Sequence, residues 1–282
     1  MTIPPHPTAP AGLFAVKSIG QNSHRRAKGY EWTPGAHTGP MPPIRKTTKR
    51  TAELLDFYYS DFPTDFEHFV EISRGRLRGA RRVLDLGAGT GTIDSLDWRA
   101  PDRRVIGIDP DPRIDGHPFL DDRVRGSGFN LPFRDESLDA VVSVNVMEHI
   151  KKPESILGEV HRVLKKGGVF LVKTPNRRHY VARFANLTPT WFHNWYNGLR
   201  GRSSEDTFET IYRFNRFEEI DTLAAEAGFE VLSLDAFEGI PEYLLLSTFL
   251  FYPGLWFERW VNSKPSRNKW RANLEAVLRK PE

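Results

Sequence analysis

Apolar positions follow two periods along this chain, and the periods alternate. Arg82 to Leu86 (RVLDL), Arg104 to Ile108 (RVIGI) and Asp139 to Asn145 (DAVVSVN) are short, nearly continuous apolar runs, the pattern of strands buried on both faces. A short strand fits around Arg123 to Gly126, and GVFLVKT (168–174), FEVLSLDAF (229–237) and NLEAVLRK (273–280) bring the set to seven. Between them the spacing becomes helical. Phe66, Phe69, Val70 and Leu77 mark a first helix, and another is expected from about Gly91. Ile156, Val160, Val163 and Leu164 line a third, opened by Pro153 and stopped at Gly167. Asn215 with Glu218 three residues on has the form of a capping box, opening a helix that buries Ile220, Leu223, Ala224 and Ala227 and ends at Gly228. Strands separated by helices predict an α/β fold with a doubly wound, mostly parallel seven-stranded sheet. Its crossovers are right-handed and its ligands sit beyond the carboxyl ends of the strands.

Charge divides the chain. Its net +4 arises from residues 1–50, which carry eight Lys or Arg against the single acid Glu31, so residues 51–282 are mildly acidic. The first fifty residues also hold eight of the 21 prolines and show neither period, which predicts a flexible basic tail ahead of a folded domain over 51–282. Such a tail attracts nucleic acid, anionic lipid or a phosphorylated substrate, or is simply a solvated leader. No run approaches the twenty apolar residues of a membrane helix, and only Leu13 to Val16 stands where a signal peptide would carry a longer apolar core. A soluble, cytoplasmic protein is expected. The absence of cysteine fits that compartment and removes disulfides, thiolate zinc sites and a cysteine nucleophile.

The chemistry begins where the first strand ends, in RVLDLGAGTGT. Glycines between a strand and a helix let a ligand approach backbone N–H groups and so favour an anion, phosphate or carboxylate. Gly87, Gly89 and Gly91 alternate, with Thr92 where the third glycine of a dinucleotide fingerprint would fall. Asp85, two residues ahead of the loop, would oppose a pyrophosphate but suits a ligand with an ammonium beside a carboxylate. Asp109 ends the second strand, where an acid accepts the hydroxyls of a ribose. Together they describe an amino acid joined to a nucleoside.

On these motifs the chain resembles the class I S-adenosylmethionine-dependent methyltransferases, in particular the small-molecule branch that includes the quinone O-methyltransferases. VLDLGAGTG is similar to the first motif of that family, IGIDPD to its second, NLPFRDESLDAVVSVNVMEHI to its adenine-loop and fourth-strand region and HRVLKKGGVFLVKTPN to its fifth-strand region. The resemblance implies S-adenosylmethionine as cofactor. Asp85, Gly87 and Gly89 would line its methionine end, Asp109 its ribose and Pro110 its adenine, with Ser127, Gly128 and Asn145 completing the set. Ser127 falls where the family usually has an acid for the adenine amino group, so that contact would be a neutral hydroxyl.

Amino-methylating members of the family carry Asn or Asp followed by Pro-Pro and an aromatic after the fourth strand. This chain has NVMEHI, which leaves an oxygen or carbon acceptor, and for a hydroxyl His149 would be the base. Some quinone relatives use a similar Glu-His pair at a metal site, but Glu148 and His149 are too few ligands for one, and no metal is expected. Insertions at about 175–215 and 239–263 start above the cofactor and resemble a lid, with aromatics of Tyr243 to Phe257 turned toward the cofactor's methyl end. Read otherwise, Tyr243 to Phe257 is an interfacial helix in peripheral contact with a membrane. The expected acceptor is a small or lipid-linked saccharide or aromatic hydroxyl. The rival readings are a nucleic-acid-binding protein on a methyltransferase scaffold and an NAD-dependent oxidoreductase, and nucleic acid is the less favoured partner.

Overall fold

A computed structural model describes residues 48–187, 210–245 and 247–282. The basic segment up to residue 47 and the aromatic stretch TWFHNWYN, including His193, lie outside the described residues. Strands β1 (Arg82–Leu86), β2 (Arg104–Asp109), β3 (Asp122–Arg125), β4 (Leu138–Val144), β5 (Leu164–Pro175), β6 (Glu230–Phe237) and β7 (Asn273–Arg279) form one sheet in the order β3-β2-β1-β4-β5-β7-β6. The first five are parallel, and β7 inserts antiparallel to both β5 and β6. β6 therefore points the same way as β5, so six strands deliver their carboxyl ends to one edge and β7 leaves from it.

Alternation along each strand sorts its side chains between two layers. Leu84, Leu86, Ile106 and Ile108 pack with Ile156 and Val160 of α3 (Pro153–Val163) and with Ile220 and Ala224 of α5 (Phe217–Glu226). Val83, Val105, Ala140 and Val142 face Phe69 and Val70 of α2 (Asp65–Arg76), a helix closed by a reciprocal capping box between Thr64 and Glu67. A third, smaller cluster joins Leu54, Leu55 and Tyr59 of α1 (Lys49–Tyr59) to Leu245 and to Phe251 of α6 (Thr248–Asn262). A short helix, α4 (Tyr180–Leu187), follows β5.

Three expectations give way to tertiary packing. The helix expected from Gly91 is a single 3-10 turn, Asp94–Leu96. The buried Trp98 fills the space against Phe69 instead, with ring centroids 6.1 Å apart. Asn215 does not cap α5, whose N-cap is Arg216 without a side-chain bond. The Asn215 amide instead donates to Thr174 Oγ1 at 2.8 Å and to the Pro175 carbonyl at 2.7 Å, because a buried amide must satisfy both its hydrogens. The third difference is in α6, whose aromatics Phe249, Tyr252 and Trp256 face solvent instead of the cleft. The inner side of α6 is taken by α1, and a Cβ at Gly254 would lie 2.7 Å from Pro241, so the helix backbone itself lies against the chain below. Among the described residues no helix is long and apolar enough to cross a membrane.

Replacing Trp98 by Ala is expected to cost about 3 to 5 kcal/mol, the range for a truncated core aromatic, and urea unfolding measures it. A loss below about 1 kcal/mol would show that the indole does not substitute for the missing helix.

Candidate active site

At the end of β1 the chain turns through three left-handed glycines, with φ of 76° at Gly87, 61° at Gly89 and 70° at Gly91. Each is needed, for different reasons. A Cβ on Gly87 would sit 2.3 Å from Val146 Cγ2, and one on Gly91 2.8 Å from His117 Cε1. A Cβ on Gly89 would meet nothing within 4 Å, so the middle of the loop faces open space. Gly87 and Ala88 donate their N–H groups to the Ile108 carbonyl at 2.8 and 3.3 Å. Asp109 completes the lock: Oδ2 accepts the Gly89 N–H at 2.9 Å and Oδ1 the Asp111 N–H at 2.8 Å. Each oxygen keeps lone-pair capacity for a further donor.

Other expected cofactor residues border this loop to different degrees. Pro110 is exposed directly after Asp109. Gly126 donates to the Asp109 carbonyl at 3.1 Å, bringing the exposed Ser127 and half-buried Gly128 beside the end of β2. Asn145 is left-handed, with φ of 55°, and donates its N–H to the Lys173 carbonyl at 2.8 Å. Asp85 lies on the α2 side of β1, buried near Trp98. Burial pushes its carboxyl up to about 7, the nearby indole opposing the rise and Asp109 adding to it.

The structure adds two residues that the motifs did not single out. His117 is buried against Gly91, and its Nδ1 accepts the Phe119 N–H at 3.2 Å, which requires the neutral ring. Burial and Arg123 accordingly hold it below the ordinary histidine range. Lys173 is fully buried on β5, 2.7 Å from Asp65 at the start of α2, 4.5 Å from the Phe66 ring centre and 3.5 Å from Asn145 Oδ1. A lysine inside the apolar run GVFLVKT was the available signal for it.

At the end of β4 a 3-10 turn carries Met147–His149, on the same segment whose Val146 packs on Gly87. Glu148 is buried and bound into the scaffold: its Oε2 accepts from Thr174 Oγ1 at 3.1 Å, and its carbonyl accepts from Ile211 and Tyr212 at 2.7 and 3.1 Å. Burial raises its carboxyl. His149 is half-buried, its Nε2 3.9 Å from Glu148 Oε1. Tyr212, in a left-handed conformation with φ of 57°, lies in the field of Tyr243, Glu148 and Arg177, and burial pushes its phenol up to about 12. No group of His, Asp and Glu among the described residues could hold a metal ion.

A left-handed glycine loop with an open centre, carboxylates at the ends of β1 and β2 and a parallel sheet with one antiparallel strand inserted resemble the class I S-adenosylmethionine-dependent methyltransferases. Comparison with known proteins agrees. Residues 84–172 match the family described as "Methyltransferase domain". The chain is 37% identical over 165 residues to a "Probable S-adenosylmethionine-dependent methyltransferase" of Mycolicibacterium smegmatis, covering 56% of this chain and 60% of that protein. It is 30% identical over 151 residues to an "Uncharacterized methyltransferase" of Mycobacteroides abscessus, covering 45% and 58%. The chain thus spans about three fifths of the length of these relatives. The crystal structure of an S-adenosylmethionine-dependent methyltransferase from Archaeoglobus fulgidus shares the fold with a TM-score of 0.51 at 16% identity, over 76% of this chain and 92% of the other.

The two central glycines are expected to separate stability from binding. Gly89→Ala brings the left-handed strain alone, about 1 to 2 kcal/mol, and loses at least about tenfold in S-adenosylhomocysteine affinity by filling the open face. Gly87→Ala adds an overpacking cost of about 1 to 3 kcal/mol against Val146. Urea unfolding and calorimetric titration of both variants check the order.

Proposed function

We propose that the domain transfers the methyl group of S-adenosylmethionine to a hydroxyl oxygen of a small acceptor, a saccharide or an aromatic ring, free or lipid-linked. The observation that carries this reading is His149: a half-buried imidazole at the carboxyl end of β4, on the segment that packs on the glycine loop. When bound, the cofactor supplies an electrophilic sulfonium methyl. Asp85 would hold its ammonium and Asp109 its ribose hydroxyls, with the open face of Gly89 leaving room beside them. His149 takes the proton of the acceptor hydroxyl, while Glu148, tied to Thr174, keeps the turn that carries it in place. Tyr212, Tyr243 and Arg177 supply polar groups on the acceptor's side. Positioning the hydroxyl in line with the methyl does most of the work.

His149→Ala is expected to lower kcat by about 10² to 10⁴ with cofactor affinity unchanged, as for a lost general base. Tritiated S-adenosylmethionine offered with hydroxyl acceptors tests the reading, the product being identified by mass spectrometry. A methyl ether supports it, whereas label on nitrogen or carbon overturns it.

Asp85 sets a pH dependence. In the free protein it is protonated below about 7. A bound ammonium favours the carboxylate, so binding below that pH expels a proton, and affinity rises with pH by up to about tenfold per unit until it levels off above 7. Titration at pH 6 in buffers of different ionisation enthalpy should detect the released proton, and Asp85→Asn should abolish both the release and the slope.

A further inference from the structure

We infer that the outward face of α6 is a docking surface for an anionic lipid bilayer. The helix is amphipathic in the reverse of the usual sense. Its inward residues are Phe251, Gly254, Glu258 and Val261, all buried, and Glu258 is the only acid on the helix. That carboxylate accepts from Tyr59 Oη at 3.2 Å and from Asn262 Nδ2 at 2.8 Å, so the fold internalises the group that would have solvated the helix. Outward lie Phe249, 82% exposed, Tyr252, 48%, and Trp256, 68%, followed by Trp260, whose ring lies 6.3 Å from that of Trp256. Steps of three, four and four residues keep these aromatics on one stripe along the helix.

The chain that follows the stripe is basic. Arg259 is turned to Glu258, at 3.3 Å, and lies over the Tyr59 ring, whereas Lys264, Arg267 and Lys269 follow the helix at and within the next 3-10 turn, without an acid between residues 259 and 270. Arg267 lies over the Trp260 ring at 4.6 Å, which joins the cations to the end of the aromatic stripe. Residues 1–47 carry six Lys or Arg against Glu31, and they join the described chain at Thr48, whose Oγ1 is 3.1 Å from Oγ1 of Thr248, the first residue of α6. Aromatic rings for the acyl boundary and cations for headgroup phosphates are the chemistry of an interfacial helix. Fifteen residues make a helix about 22 Å long, too short to span and suited to lying in the plane. A second copy of this chain fits less well, because a twofold contact would oppose Lys264, Arg267 and Lys269 to themselves.

Co-sedimentation of the full chain with vesicles tests the proposal. The protein is expected to pellet with phosphatidylcholine vesicles containing phosphatidylglycerol, much less with phosphatidylcholine alone, and less as salt rises. The double variant Phe249→Ser with Trp256→Ser, whose sites lie outside the core, should bind about tenfold or more weakly with an unchanged melting temperature. A protein that stays in the supernatant with anionic vesicles at low salt overturns the proposal. So does binding that the double variant retains in full but that vanishes on removing residues 1–47, which would place it in the basic segment alone. Sedimentation velocity covers the remaining occupant: a dimer abolished by the same double variant, without vesicle binding, would assign the stripe to a second copy.

Discussion

One carboxylate at the end of β2 holds the site together. Asp109 accepts the N–H of Gly89 with one oxygen and that of Asp111 with the other, fastening the loop after β1 to the turn after β2. Three alternate left-handed glycines offer no preference of their own for this shape, since glycine ranges widely in the unfolded chain. The shape persists because neighbours over-determine it: Ile108 O takes two N–H groups, Val146 closes on Gly87 and the neutral His117 closes on Gly91. The same contacts join the ends of β1, β2 and β4, and only the face of Gly89 is left open.

A second constraint follows from where the strands end. Six strands stop at one edge of the sheet, so polar groups accumulate there and must be satisfied without water. Lys173 is paired with Asp65, and Glu148 is bonded to Thr174, which also accepts from Asn215. Removing one member of such a pair leaves a buried charge uncompensated, so these residues stiffen the edge on which the candidate base His149 sits. The buried lysine also links α2 to Asn145, tying the domain's early helix to the end of β4.

The region after β6 obeys a different balance. Gly254 lets α6 lie close on Pro241, α1 covers its inner side and Glu258 is drawn inward by Tyr59 and Asn262. Once that side is occupied, the remaining aromatics have nowhere to go but outward. An apolar stripe beside a row of cations is the cost of that packing unless a partner covers it.

Much of this was written locally. The central strands were located within a few residues, because a strand buried on both faces has to be an apolar run, whereas the edge strand β3, DRVR and half-exposed, follows no such rule. The left-handed turns at Gly87, Gly89 and Gly91 were legible too, because positive φ is a requirement of single positions. What depended on contacts between distant segments was not legible. A helix was expected from about Gly91, yet the chain beside Phe69 forms one turn and places one indole there. Asn215 had the local form of a cap, but two acceptors at the end of β5 outbid it. The aromatics of α6 were visible as apolar, whereas their direction was decided only when α1 claimed the opposite face, since a helix shows the same composition whichever side it buries.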